Sequence, residues 1–246
     1  MPVSDKSSSK TPSRARDRIA VALDVSNLEE ARALAERVSP HVGVLKVGLE
    51  LFVRFGIDAV RALAPVGLPI FLDLKLHDIP ETVGRSVASA RELGVSYLTV
   101  HASGGPKMLR AAADAAGDGL TLLGVTVLTS ITPAELAGLG VPAPLEEHAR
   151  ALARSCRDAG IGGLITSALE VEALRQEVGD MLLVTPGIRP SGASSQDQAR
   201  VATPAEAIRR GADLLVVGRP IRDAADPREA AAQIEREIER AWATPS

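Results

Sequence analysis

The stretch Phe71-Leu-Asp-Leu-Lys-Leu-His-Asp-Ile-Pro-Glu-Thr82 carries an apolar strand into a cluster of charges and a proline-directed loop. Side chains alternate across a strand, so Asp73 and Lys75 are predicted to face one side and the leucines the other. Asp78 follows where Ile79-Pro80 turns the chain out of the strand. Because unpaired charges are costly to bury among leucines, the stretch predicts a charged functional site. A structural ion pair is the simpler alternative.

Seven further apolar segments, separated by predicted helices, flank this strand along the chain. These segments begin near Ile19, Gly43, Val95, Leu120, Gly162, Met181 and Ala212. Buried strands alternating with helices indicate an α/β protein, and eight such units fit a (β/α)8 TIM barrel. An open doubly wound sheet would favour a Gly-rich phosphate loop after the first strand, and none is present. We predict a single-domain barrel over residues 17–246, preceded by a disordered tail over residues 1–16.

Several local signals refine this prediction. Ser26-Asn-Leu-Glu29 resembles a helix-starting capping box. Thr132-Pro-Ala-Glu135 is predicted to start a short helix with proline at its first position, and Thr203-Pro-Ala-Glu206 is predicted to cap another helix. A helical stretch is predicted from about residue 50 to residue 64. The long polar segment from Ile188 to Val201 is a candidate mobile loop.

The composition excludes several classes of function. The chain has a formal net charge of −3, so it lacks the basic surface expected for binding nucleic acid or an anionic membrane. Aromatic residues make up 2% of the chain, too few for base-stacking platforms. No apolar run approaches the roughly 20 residues that span a bilayer, and no secretory signal is visible. With Cys156 as its single cysteine, predicted to be a buried thiol, the protein is expected to be cytoplasmic.

In TIM barrels the active site lies at the carboxyl ends of the strands. The polar residues predicted at those ends are Asp24, Lys46, Asp73, Lys75, His101, Thr129, Thr166, Arg189 and Arg219. The loops after strands seven and eight commonly bind phosphate, and Arg189 and Gly218-Arg219 occupy those positions. Glycine lets backbone amides approach an oxyanion, and the arginine fork matches phosphate, which predicts a phosphorylated substrate.

A metal site is not predicted, because the four histidines are dispersed along the chain with no two at ligand spacing on one element. No motif for nicotinamide, flavin or pyridoxal phosphate is visible, so no cofactor is predicted. His77 and His101 lie near the predicted site, and their roles stay open at this point.

The pattern Asp73-x-Lys75-x-x-Asp78-Ile-Pro-x-Thr82 resembles the signature of the orotidine 5′-phosphate decarboxylase family. The resemblance extends from about Ile19 to Pro227. It includes Lys46-Val-Gly48, Val100-His-Ala-Ser-Gly-Gly105, Asp197-Gln198 and Val217-Gly-Arg-Pro-Ile221. It implies a TIM barrel that decarboxylates orotidine 5′-phosphate to uridine 5′-phosphate (UMP), the last step of de novo pyrimidine nucleotide synthesis, without a cofactor or metal.

The resemblance also implies a role for each matching residue. Lys75 would protonate C6 of the pyrimidine, with Asp73, Asp78 and Lys46 completing the catalytic group. The implied substrate contacts are Asp24 and Lys46 to the ribose, Thr129 to the pyrimidine, Gln198 to base and phosphate, and Arg189, Gly218 and Arg219 to the phosphate. The implied assembly is a homodimer in which Asp78, Ile79 and Thr82 reach into the neighbouring site.

Two other functions remain open from the residues alone. A magnesium-dependent sugar-phosphate decarboxylase or aldolase of the same barrel superfamily also uses Asp-x-Lys-x-x-Asp. The Ile79-Pro-x-Thr82 continuation and Asp197-Gln198 fit the nucleotide enzyme better. A non-catalytic barrel that binds a phosphometabolite is the third candidate, although unneeded buried charge at Lys75 would be a liability for it.

Overall fold

The computed structural model describes residues 12–190 and 201–243. Within these residues, eight parallel strands pair in chain order and close into a barrel in which the first strand pairs with the eighth. This confirms the predicted (β/α)8 TIM barrel. Residues 1–11 of the predicted tail and residues 191–200 of the predicted loop, including Gln198, lie outside the described residues.

Helices follow the strands throughout the described part of the chain. The strands are β1 (Ile19–Ala22), β2 (Val44–Val47), β3 (Ile70–Leu76), β4 (Tyr97–His101), β5 (Thr121–Val125), β6 (Gly163–Ile165), β7 (Leu182–Thr185) and β8 (Leu214–Val217). The α-helices are α1 (Leu28–Val38), α2 (Leu49–Phe55), α3 (Ile57–Leu63), α4 (Pro80–Glu92), α5 (Gly105–Ala116), α6 (Pro133–Gly138), α7 (Leu145–Asp158), α8 (Val171–Val178), α9 (Pro204–Arg209), α10 (Arg219–Arg222) and α11 (Pro227–Ala243). None of these helices is both long and apolar enough to cross a membrane.

Two apolar layers hold the barrel together. The larger layer lies between the strands and the helices, and it includes Val21, Leu45 and Leu98. The smaller cluster comes from alternate strand positions and fills the barrel interior. Its buried members are Ala20, Val44, Phe71, Leu123, Leu182, Val184 and Leu214. This inner cluster closes the barrel below the carboxyl ends of the strands, so polar side chains further along the strands line a cavity with an apolar floor.

The structure corrects two local predictions, the cap of α1 and the continuous helix over residues 50–64, and it confirms the helix starts at Thr132 and Thr203. The cap of α1 is Asn27, not Ser26, because the Asn27 side chain accepts the hydrogen bond from the Glu30 amide at 2.8 Å. The helices predicted to start at Thr132 and Thr203 are confirmed, and each begins with a capping box. The helical stretch predicted over residues 50–64 is broken at Gly56, whose φ of 56° ends α2 and starts α3.

The first ordered turn starts earlier than the predicted boundary after residue 16. Ala15–Arg18 forms a 3₁₀ helix in which Ala15 is buried, and the Arg18 guanidinium stacks 4.3 Å from the Trp242 ring. These contacts attach the segment just before β1 to α11. The predicted buried thiol is also confirmed, because the Cys156 side chain is fully buried. This burial raises the pKa of the thiol to about 12.

Candidate active site

A cavity of about 480 Å³ opens at the carboxyl ends of the strands. It brings together nine of the residues predicted for the site: Asp24, Lys46, Asp73, Lys75, Thr129, Thr166, Arg189, Gly218 and Arg219. Its apolar wall includes Phe71, Val125 and Ile165. The predicted lysine–aspartate group and the predicted phosphate-binding arginines therefore border one space.

The charged side chains of the cavity form a chain of alternating sign. The Lys46 Nζ atom lies 3.2 Å from Asp24 Oδ1 and 3.6 Å from Asp73 Oδ2. The Lys75 Nζ atom lies 2.8 Å from Asp73 Oδ1. Burial alone would raise the pKa of Asp73, but Lys46, Lys75 and Thr99 outweigh it, so that the pKa lies below its ordinary value of 3.8. Asp73 is therefore ionised at neutral pH.

The backbone at Lys75 is strained. Within the described residues, Lys75 is the only non-glycine residue with a positive φ, at 52°. The pairing of β3 with β4 shifts register between Leu72 and Leu76, which makes a bulge around Lys75. The predicted regular strand is thus wrong here, although the predicted facing holds, because Asp73 and Lys75 still meet while Leu74 and Leu76 pack against the outer core.

The ends of β7 and β8 bring the two predicted arginines to the cavity. Arg189 follows β7, and its backbone amide donates to the Ala202 carbonyl at 2.9 Å. Arg219 starts α10 directly after Gly218 at the end of β8. The cavity is narrow near Asp24, because a methyl group added at Gly48 would lie 2.7 Å from Asp24 Oδ1.

Asp78, Ile79 and Thr82 do not line this cavity. All three are exposed, and the Asp78 carboxylate accepts a hydrogen bond from the Ile79 amide at 2.6 Å. Ile79 is 66% exposed, which is unusual for an isoleucine beside an active-site strand. In this chain the Lys75 amine is therefore paired with Asp73 and not with Asp78.

Comparison with known proteins shows which family the chain belongs to. A family model described as orotidine 5′-phosphate decarboxylase / HUMPS family matches residues 17–234, which is most of the chain. The chain belongs to this family.

Individual members of the decarboxylase family align over nearly their whole length. An orotidine 5′-phosphate decarboxylase of Anaeromyxobacter sp. (strain K) is 54% identical over 219 residues, covering 89% of this chain and 96% of the relative. The enzyme of that name from Thermobifida fusca is 49% identical and covers 93% of this chain and 98% of the relative. The crystal structure of the Lactobacillus acidophilus orotidine 5′-phosphate decarboxylase superposes with a TM-score of 0.80 at 40% identity, covering 90% of this chain and 99% of that structure.

Two residues around this decarboxylase-family cavity escaped the sequence analysis. Arg222 lines the cavity and donates a hydrogen bond from Nη1 to the Asp24 carbonyl at 2.9 Å. Thr99 lies opposite the Lys75 bulge and bonds both Asp73 and the Lys75 amide. The one signal for Thr99 was its place two residues before His101 on the same face of a strand. Arg222 gave none, because the fifth residue after a strand is ordinarily a solvated helix position.

In the described part of the chain, the acidic, histidine and cysteine side chains are not arranged as metal ligands. Over residues 12–190 and 201–243, no three His, Cys, Asp or Glu side chains are grouped as metal ligands. The two carboxylates of the cavity, Asp24 and Asp73, instead contact lysine amines.

His77 and His101 form a pair beside the charged chain, with ring centroids 5.4 Å apart. Burial lowers the pKa of His101 from its ordinary value of 6.5, and the neighbouring His77 and Lys75 lower it further, against a smaller opposing effect of Asp73. The His101 imidazole is therefore neutral at pH 7, because its surroundings in the folded protein make protonation less favourable.

This depressed pKa predicts a pH-dependent stability. Below pH 6.5 the unfolded chain binds the His101 proton more readily than the folded chain, so stability is expected to fall as the pH falls from about 7 to 5. The His101→Asn variant should lose less of its melting temperature over that interval than the wild type. Thermal unfolding of both proteins at a series of pH values measures this difference. Parallel curves for the two proteins would contradict the assignment.

Proposed function

We propose that this protein decarboxylates orotidine 5′-phosphate to UMP and carbon dioxide. The observation that carries the proposal is the Lys75 amine, held by an ionised Asp73 inside a cavity that Arg189 and Arg219 also line. Membership in the decarboxylase family and the names of its relatives support the same reaction.

The chemistry explains why a fixed ammonium group is needed. Loss of carbon dioxide breaks the bond to C6 of the pyrimidine and leaves the electron pair on that carbon as a vinyl carbanion. The carbanion has no conjugated electron sink, so preorganised charge in the protein must stabilise it. Lys75 supplies this charge and then transfers its proton to C6 to form UMP. The ionised Asp73, 2.8 Å from the amine, holds this ammonium group in place.

The remaining residues of the cavity are proposed to hold the rest of the nucleotide. Asp24 and Lys46, already paired at 3.2 Å, would bind the ribose hydroxyls. Thr129 would bind the pyrimidine edge. The phosphate would lie against the wall formed by Arg189, Gly218 and Arg219. A contact of Gln198 with base and phosphate stays a proposal from the sequence.

We also propose a homodimer in which Asp78, Ile79 and Thr82 complete the neighbouring site. Their exposure and their position outside this chain's own cavity support that arrangement. Exposed apolar side chains on α2 and α3, namely Leu49, Val53 and Ile57, add apolar area of the kind found at interfaces.

The buried single thiol fits a reducing compartment, so we place the protein in the cytoplasm.

The reaction is tested by the pyrimidine absorbance change after orotidine 5′-phosphate is added to the purified protein in excess EDTA. Full turnover is expected, because the proposed mechanism draws only on side chains. Absence of turnover with and without added magnesium would overturn the proposal. Activity on a sugar phosphate that EDTA removes and magnesium restores would favour the magnesium-dependent alternative.

A phosphate role for Arg219 predicts a substrate-dependent defect in the Arg219→Ala variant. Removing one partner of a charged hydrogen-bonded pair costs about 2–5 kcal/mol, so kcat/KM for orotidine 5′-phosphate is expected to fall by about 30-fold or more. The rate on phosphate-free orotidine should change little. Arg236→Ala, at an exposed ion pair on α11, is the matched control and should leave both rates unchanged. Equal proportional losses on nucleotide and nucleoside would contradict a phosphate role.

A further inference from the structure

We propose that Thr99 is a positioning residue for the decarboxylation, holding the Lys75 backbone in its left-handed conformation and fixing the Asp73 carboxylate beside the amine. This inference rests on the proposed function and deepens it. Thr99 does not line the cavity, so it acts through the two residues that do.

The hydroxyl of Thr99 joins the two catalytic candidates directly. Thr99 lies in the middle of β4 and is completely buried. Its Oγ1 atom lies 2.8 Å from the Lys75 backbone nitrogen and 2.9 Å from Asp73 Oδ1. An ionised carboxylate and a backbone N–H leave one arrangement of protons: the hydroxyl donates to Asp73 and accepts from Lys75.

The register of the sheet explains why a side chain is needed at this point. Leu72 pairs with Leu98, and the next pair is Leu76 with Val100, so three residues of β3 lie opposite the single residue Thr99. A bulge of this kind disrupts the backbone ladder. The Lys75 amide obtains its hydrogen bond from the Thr99 side chain, and a buried amide without a partner would be unfavourable.

Threonine suits this position better than other side chains of its size. A hydroxyl both donates and accepts, which valine cannot do. A β-branched side chain is also stiff about χ1, so its oxygen has a defined position on the strand. The strained Lys75 backbone at φ 52° and the orientation of Asp73 thus depend on the same oxygen atom.

The test compares Thr99→Val, which keeps the shape and removes the hydroxyl, with Thr99→Ser, which keeps the hydroxyl. Misplacing a catalytic group by about 1 Å can cost about 100-fold, so kcat of Thr99→Val is expected to fall by about that factor. The affinity for UMP should stay within about threefold, since the ribose and phosphate contacts remain. Thr99→Ser should recover most of kcat.

A pH profile separates positioning from a merely structural role. Asp73 faces Lys46 from β2, Lys75 from β3, and Thr99 and the more distant His101 from β4. Losing the Thr99 hydrogen bond should move the acid limb of kcat for Thr99→Val to higher pH, and Thr99→Ser should restore it. Thr126→Val is the control: it removes another buried hydroxyl, bonded to the Ile165 carbonyl, and should leave kcat and the acid limb unchanged.

The outcomes distinguish this inference from the proposed function. A wild-type protein without turnover overturns the function. An active wild type whose Thr99→Val variant keeps the same kcat and the same acid limb overturns the role of Thr99. So does a Thr99→Ser variant as defective as Thr99→Val. If Thr99→Val fails to fold, Thr99→Cys takes its place and the same losses are expected, because a thiol of similar size is a weak donor and acceptor.

Discussion

Replacing Lys75 by alanine is expected to abolish turnover of orotidine 5′-phosphate, with a loss in kcat of at least about 10⁴-fold. The size follows from the two tasks assigned to one amine. Fixed charge that stabilises a developing anion contributes about 10²–10³-fold, and proton transfer contributes about 10²–10⁴-fold. Single-turnover absorbance measurements give the rate, and calorimetric titration with UMP gives the affinity.

Binding of UMP should survive in the Lys75→Ala variant, within about tenfold, because the phosphate and ribose contacts lie on other strands. Alanine keeps a Cβ atom at a φ of 52°, so it does not relieve the backbone strain as glycine would. Lys107→Ala, at an exposed position on α5, is the matched control and should turn over normally. Wild-type-like turnover by Lys75→Ala would remove the mechanism.

The barrel was predictable because its cause is repeated eight times. Each strand is a short apolar segment, and each is followed by a helical pattern, so single errors at helix boundaries do not change the architecture. The N-cap of α1 shows the size of such errors, because Ser26 and Asn27 are both residue types that cap helices well and the structure uses Asn27. Local residue preferences narrow the position of the cap to two neighbouring residues, and only the structure shows which of the two it is.

The residues that form the site could be predicted from the sequence, but their spatial arrangement could not. Asp24, Lys46, Asp73 and Lys75 are all polar residues at strand ends, which a barrel brings to one rim. Sequence alternation alone could not show that Lys75 lies in a bulge, because a bulge depends on how two strands pair. Thr99 was missed for the same reason, since its hydroxyl has a function only opposite that bulge.

The position of Asp78 illustrates a further limit. Three residues after Lys75 in the sequence, it nevertheless lies outside the cavity of its own chain. A carboxylate so close in sequence would be expected to pair with the lysine, but Ile79-Pro80 directs the chain away into α4. This placement supports the proposal that Asp78 serves the lysine of another copy of the chain.

Subunit complementation tests the proposed homodimer and its shared site. The Lys75→Ala and Asp78→Ala homodimers should each be nearly inactive. In a heterodimer of the two variants, one site would lack both residues, but the other would combine an intact Lys75 with an intact Asp78 from its partner. Co-expression with two different affinity tags and tandem purification isolates that heterodimer. Its expected activity is about half that of the wild-type dimer, since one of its two equivalent sites is complete.

The control pairs Lys75→Ala with Asp73→Ala. Asp73 lies 2.8 Å from the lysine of its own chain, so both residues belong to one subunit's site and each site of this heterodimer lacks one of them. No activity should return. Recovery in the Asp78 pairing together with none in the Asp73 pairing is specific to an active site built from two chains. An inactive Lys75/Asp78 heterodimer that still binds UMP would instead show that Asp78 acts within its own chain, and the exposed Asp78–Thr82 turn would then need a rearrangement to reach the amine.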